Sequence, residues 1–130
     1  NEFEYRYRQA KIILAEKRIQ ERRGPGMNIV IKPAAAEELR KYEFEEGQGL
    51  RIEAIFVGTC SIATEHYLRI DRRNEDDLFI MADSFPVLIS GESQKNLHHT
   101  VTLDFNPALG FKLYSDEETY RYNLKISRNQ

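Results

Sequence analysis

The chain has 130 residues, 41% hydrophobic and 31% charged, with a formal net charge of −2. That length and composition fit one soluble globular domain, able to bury roughly two-thirds of its unfolded surface without staples. The longest apolar runs, at 12–15 and 85–89, fall far short of the roughly 20 residues that cross a bilayer, no leader-like pattern opens the chain, and a single cysteine excludes an internal disulfide.

Residues 1–26 come first and differ from the rest. They carry seven Lys and Arg against four Glu, a net of +3, which leaves the remainder at −5. Phe3, Tyr7, Ala10 and Leu14 recur at i, i+4, i+7 and i+11, with Ile12, Ala15 and Ile19 beside them. The pattern predicts an amphipathic helix with a basic face of Arg8, Lys11, Arg18 and Arg22. Phe3, Tyr5 and Tyr7 also alternate, so a strand over the first eight residues is a second reading. Such a helix could serve a partner, a membrane surface or nucleic acid, or pack its stripe on its own domain or on a second copy. Glutamates dilute its basic face, and the acidic body lacks the clustered cations that phosphate contacts require, so neither nucleic acid nor membrane is expected as a partner. Gly24-Pro25-Gly26 ends the segment, because glycine frees φ and proline removes a donor. Met27-Asn28-Ile29-Val30-Ile31 then reads as a start feeding a strand, so residues 1–26 are an extension, native or appended, of a domain at 27–130.

The domain reads as short elements. After the strand at 28–32, Pro33 opens a helix to Tyr42, with glutamates toward its positive end. Leu50, Ile52, Ala54 and Phe56 mark one face of a strand at 50–57. Gly58-Thr59-Cys60-Ser61 is a turn, 64–71 alternates again, and 72–77 is a charged hairpin tip. Strands at 78–82 and 86–90 flank Asp83-Ser84, and further strands are expected at 99–104, 111–114 and 119–126. In the last, Tyr120, Tyr122, Leu124 and Ile126 share one face. Seven or more short strands at intervals of about ten residues predict a mostly β fold, an antiparallel sandwich or pseudo-barrel with one short helix against it.

Cys60 is the residue from which chemistry can be argued. A thiolate in a Gly-Thr-Cys-Ser turn could ligate a soft metal or an iron–sulfur cluster, or act as a nucleophile; a free cysteine is also often an inert small hydrophobe. His66 follows six residues later and is the candidate second group, for a metal or for a thiol pair. His98 and His99 are adjacent and would face opposite sides of a strand, so they do not easily serve one ion. No Cys-x-x-Cys or His-x-x-x-His pair marks a zinc site, and no phosphate cradle or nucleophile elbow occurs. The carboxylates at Glu43, Glu45 and Glu46, and at Glu75, Asp76 and Asp77, read as solvated tips. No enzyme activity is expected.

Taken in order, Ile29-Val30-Ile31-Lys32-Pro33-Ala34-Ala35-Ala36-Glu37-Glu38-Leu39, Gly49-Leu50-Arg51-Ile52, Gly58-Thr59-Cys60-Ser61, Asp77 to Ile89, and Val101-Thr102-Leu103-Asp104-Phe105-Asn106 followed by Gly110-Phe111-Lys112-Leu113 resemble the HesB-like, A-type iron–sulfur biogenesis domain. The resemblance runs from Met27 to about Tyr114 and is strongest to a small bacterial subgroup. It implies a β-sandwich pseudo-barrel, a cytoplasmic protein, iron or an iron–sulfur cluster as cofactor, and a protein partner or homo-oligomer. It also implies three cysteines, of which only Cys60 is present, since 115–130 lacks the Cys-x-Cys pair. Cluster iron needs about four protein thiolates or their substitutes. The resemblance therefore implies at most a site shared between chains, the alternative being an interaction or scaffold module on the same fold.

Overall fold

The structure, a computed structural model, describes Arg6 and residues 26–58 and 63–128. The described elements are β1 (Asn28–Ile31), α1 (Pro33–Leu39), β2 (Gln48–Val57), β3 (Ala63–Arg72), β4 (Leu78–Ala82), β5 (Phe85–Ile89), α2 (Gly91–Lys95), β6 (Thr100–Asn106), β7 (Gly110–Ser115), β8 (Thr119–Leu124) and β9 (Ile126–Arg128). They form two sheets, one of order β1-β6-β7-β8 and one of order β4-β5-β2-β3-β9. The expected mostly β sandwich is what the chain builds, with open sheets instead of a closed barrel. Apart from Arg6 and Gly26, the helix expected over residues 1–26 lies outside the described residues, as do Thr59, Cys60 and Ser61 of the expected turn. No helix among the described residues is long and apolar enough to cross a membrane.

The core follows from alternation. Leu50, Ile52 and Ala54 of β2 oppose Ile70, Leu68 and His66 of β3, and opposed residues of an antiparallel pair share a face. That face meets Val101 and Leu103 of β6 and Phe111 and Leu113 of β7, while Leu39 of α1 closes one end. Where β5 runs beside β2, Gly49 permits the close approach, because a Cβ there would sit 3.0 Å from both the Pro86 carbonyl oxygen and Leu88 Cγ.

Several expectations are corrected. Three pairings are parallel, β1 with β6, β2 with β5 and β3 with β9, where antiparallel pairing was expected throughout. Each joins strands distant in sequence, which local patterns do not mark. The first helix stops at Leu39, so Glu37 and Glu38 fall in its second half, and Glu38 pairs with Lys41 at 2.9 Å. A second helix, α2, forms after Ser90, whose Oγ accepts the Ser93 N–H at 3.1 Å. The strand expected over 119–126 is two strands, and its shared face is broken: Leu124 is buried while Tyr122 is 54% exposed. Asn123 adopts φ 61°, and two register shifts against β7 each add a residue to β8 and reverse the alternation.

The largest departure concerns Asp77, expected at a solvated tip. Its side chain is fully buried and receives Arg51 Nη1 and Nη2 at 2.6 and 2.7 Å, as well as the Asn74 N–H at 2.7 Å. Arg51 Nε donates to Asp71 at 2.8 Å, and Nη2 also reaches the Arg72 carbonyl at 2.9 Å. One guanidinium on β2 thus fastens the end of β3 and the loop into β4, with its charge neutralised and its fork filled. Asp77→Ala should cost about 3–5 kcal/mol by stranding that buried cation, whereas Asp71→Ala should cost about 1 kcal/mol. Urea unfolding at neutral pH measures both, and a loss below about 1 kcal/mol for Asp77→Ala would contradict this account.

Candidate functional site

Hairpin β2–β3 pairs along ten rungs, from Gln48 opposite Arg72 to Val57 opposite Ala63. Neighbouring strands cover only part of it. On one side β5 pairs with β2 at Leu50 and Arg51, and on the other β9 pairs with β3 at Leu68, Arg69 and Ile70. From the rung of Ala54 and His66 outward, β2 and β3 have no strand partner but each other among the described residues. These outer rungs form an arm, and residues 58–62 join its two strands. Cys60 is outside the described residues. In the sequence it is three positions from both Val57 and Ala63.

Where flanking strands stop, side chains take over the backbone groups. The Ala54 N–H donates to Ser93 Oγ at 3.0 Å, and Asn96 Nδ2 donates to the Ala54 carbonyl at 2.8 Å. Across the same rung, Arg121 Nη1 donates to the His66 carbonyl at 2.9 Å. The arm is therefore held at its root from both edges, by α2 and the residue after it on one side and by β8 on the other.

His66 points inward at this root. It is 6% exposed, and its ring stacks on Tyr120 at 4.8 Å between centroids. The Tyr120 hydroxyl accepts the His98 N–H at 2.8 Å, and the His98 ring lies 5.9 Å from Tyr120. His98 Nδ1 is 2.7 Å from Ser115 Oγ, and its Nε2 is 3.4 Å from Glu117. His99 is exposed and contacts Thr100 Oγ1 at 3.3 Å. The two adjacent histidines thus serve different neighbours. Nε2 of His66 is buried and has no hydrogen-bond partner among the described residues. Burial pushes the His66 pKa below its ordinary value, Glu118 opposes that shift, and Arg121 adds to it.

The profile of the family described as iron-sulphur cluster biosynthesis matches residues 27–128. The chain belongs to this family. Among solved structures it is similar to a candidate Fe-S biosynthesis protein from Lactobacillus acidophilus, at 18% identity and TM-score 0.59 over 78% of this chain and 90% of that one. A second, from Lactobacillus salivarius, gives 18% identity and TM-score 0.60 over 78% of this chain and 98% of that one. At such identity these two show the shared fold. No curated protein matches the chain.

As a member of the iron-sulphur cluster biosynthesis family, the chain can be tested for its fit to iron or a cluster. Among the described residues no three His, Cys, Asp or Glu side chains are grouped to hold a metal ion. The sequence holds one cysteine, a quarter of the roughly four donors a cluster takes up. A single chain therefore does not fit a resident cluster. His66 starts three residues inside Ala63, about 10 Å along the strand from the arm's last rung, and its ring is turned into the sandwich. Among the described residues, a half-open cleft of about 260 Å³, lined by Asp104, Asn106, Lys112 and Tyr122, sits at the far end of β6.

The root residues Ser93, Asn96, Arg121 and Tyr120 were not legible as a group, because the first three act through backbone atoms of Ala54 and His66 and the last through the His66 ring, all distant in sequence. His66 supplies the test of this region. A base whose folded pKa is depressed is protonated more readily in the unfolded chain, so it costs nothing well above pH 6.5 and subtracts stability as pH falls below it. Between pH 7.5 and 5.5 His66 should account for a loss of up to about 1.4 kcal/mol. His66→Leu should lose correspondingly less over that interval in urea titrations; an identical pH dependence in both proteins would show that His66 is not held neutral.

Proposed function

We propose that the protein handles iron or an iron–sulfur cluster as cargo in the cytoplasm, with Cys60 supplying one thiolate, Cys60 of a second copy another and small-molecule or other protein donors the rest, and with no catalysis of its own. The observation that carries this reading is the family match over residues 27–128, taken with the place of Cys60 in the sequence between Val57 and Ala63, the last rung of the β2–β3 arm. A second chain can approach such an end without displacing a strand. With one protein thiolate from each chain, separation of two copies removes half of the protein donors together, which favours release over retention. His66 is left out of the donor set because its ring packs on Tyr120.

A second reading, an interaction or scaffold module that has lost metal chemistry, draws support from the single cysteine. Anaerobic reconstitution with iron and sulfide, followed by size-exclusion chromatography, separates the two. Cargo handling predicts visible charge-transfer absorption that migrates with a dimer, at about one two-iron cluster per two chains, and that Cys60→Ser abolishes. Colourless protein that behaves identically with and without the thiol would leave the module.

A further inference from the structure

The cleft at the far end of β6 is lined by two opposite charges that do not pair with each other. Asp104 and Lys112 are register partners on β6 and β7, and they project from the outer side of the sheet, opposite the buried Leu103 and Leu113. Opposed residues stand about 5 Å apart at Cα, within reach of an ion pair. Yet the ion pairs among the described residues include neither. Lys112 Nζ lies instead over two aromatic rings, 4.8 Å from the Tyr114 centroid and 5.4 Å from that of Tyr122. Asp104 Oδ1 accepts the Phe105 N–H at 2.8 Å, and the second carboxylate oxygen has no hydrogen-bond partner among the described residues.

An irregular backbone supplies the apolar wall. The register shifts in β8 and the left-handed Asn123 bring Tyr122 to the outer side beside Lys112. Tyr122 and Leu109 are both more than half exposed, and both line the cleft. Of the four large hydrophobic side chains that the described residues expose, two therefore gather at one opening. A space of about 260 Å³ suits a small molecule and not a folded polypeptide segment.

A ligand with a carboxylate, an ammonium and an apolar body meets all of these features. Lys112 donates to the carboxylate, the ammonium donates to Asp104, and the body lies against Leu109 and Tyr122. An α-amino acid carries both charges on neighbouring atoms of one carbon, which matches two heads on opposed residues of adjacent strands. We propose that this cleft binds a free α-amino acid with an apolar side chain. Binding does not depend on whether Cys60 takes iron.

Isothermal titration calorimetry of the full-length protein with L-leucine and L-phenylalanine tests this. At least one should bind saturably, with a Kd below about 10 mM. Its N-acetyl derivative, which lacks the ammonium, and its amide, which lacks the carboxylate, should each bind at least about tenfold more weakly. Lys112→Met should weaken the amino acid by about tenfold, and Asp104→Asn should erase the preference over the N-acetyl derivative, with the urea midpoint unchanged in both. If neither amino acid saturates by about 10 mM, the proposal is overturned. Equal affinity for the amino acid and its N-acetyl derivative also overturns it, because the cleft is then an anion site or an apolar patch.

Discussion

The two layers of this sandwich are unequal in length, and most of what is distinctive in the molecule follows from that mismatch. The β2–β3 hairpin has ten rungs, about 33 Å at the rise of a strand, whereas the strands of the facing sheet run four to seven residues, about 13–23 Å. The inner face of the hairpin is buried by Leu50, Ile52, Leu68 and Ile70 where sheets overlap. It cannot be buried where they do not. Some of the hairpin has to project, and the side chain that marks the change is Phe56, two residues beyond a fully buried Ala54.

A projecting ribbon creates a second requirement, since backbone groups leaving the sheet need partners. The rung of Ala54 and His66 meets it with side chains from three separate places, Ser93 and Asn96 on one edge and Arg121 on the other. Replacing strand pairing by one side-chain acceptor, Ser93, and two donors, Asn96 and Arg121, ends the sheet abruptly while leaving no free edge at that rung for unwanted pairing. At the opposite end of the hairpin, Arg51 performs a comparable service. It fastens the chain as it turns out of β3, using Asp71, Asp77 and the Arg72 carbonyl. The long hairpin is thus secured at two points, and the outer three rungs lie beyond both.

How much of this could be foreseen depends on whether the cause is local. The strand over residues 78–82 is legible because its alternation and the Asp83-Ser84 turn lie within one short window, and both turn residues take the positive φ that a two-residue hairpin requires. The apolar face of β2 is legible for the same reason. Asp77 is not: it sits among Glu75, Asp76 and Asn74, and only the return of β2 twenty-six positions away makes it a buried partner of Arg51. Tyr122 was placed with Leu124 because alternation was carried through Asn123, whose left-handed backbone reverses it. His66 was weighed as a partner for Cys60 by spacing alone. Its stacking on Tyr120 is set by the packing of β8 against β3, which no local pattern encodes.

The candidate site was legible to a different degree. Cys60 stood out because it is the single cysteine, and the family match gives that thiol a context. Yet the match shows a family and this chain holds one cysteine, so fold and chemistry must be argued separately. Geometry therefore bears on the deficit in ligands: the fewer donors a chain supplies, the more its site depends on reaching another chain. The arm is the part of the fold that bears on this, and the three-point hold at Ala54 and His66 fixes the base from which it extends.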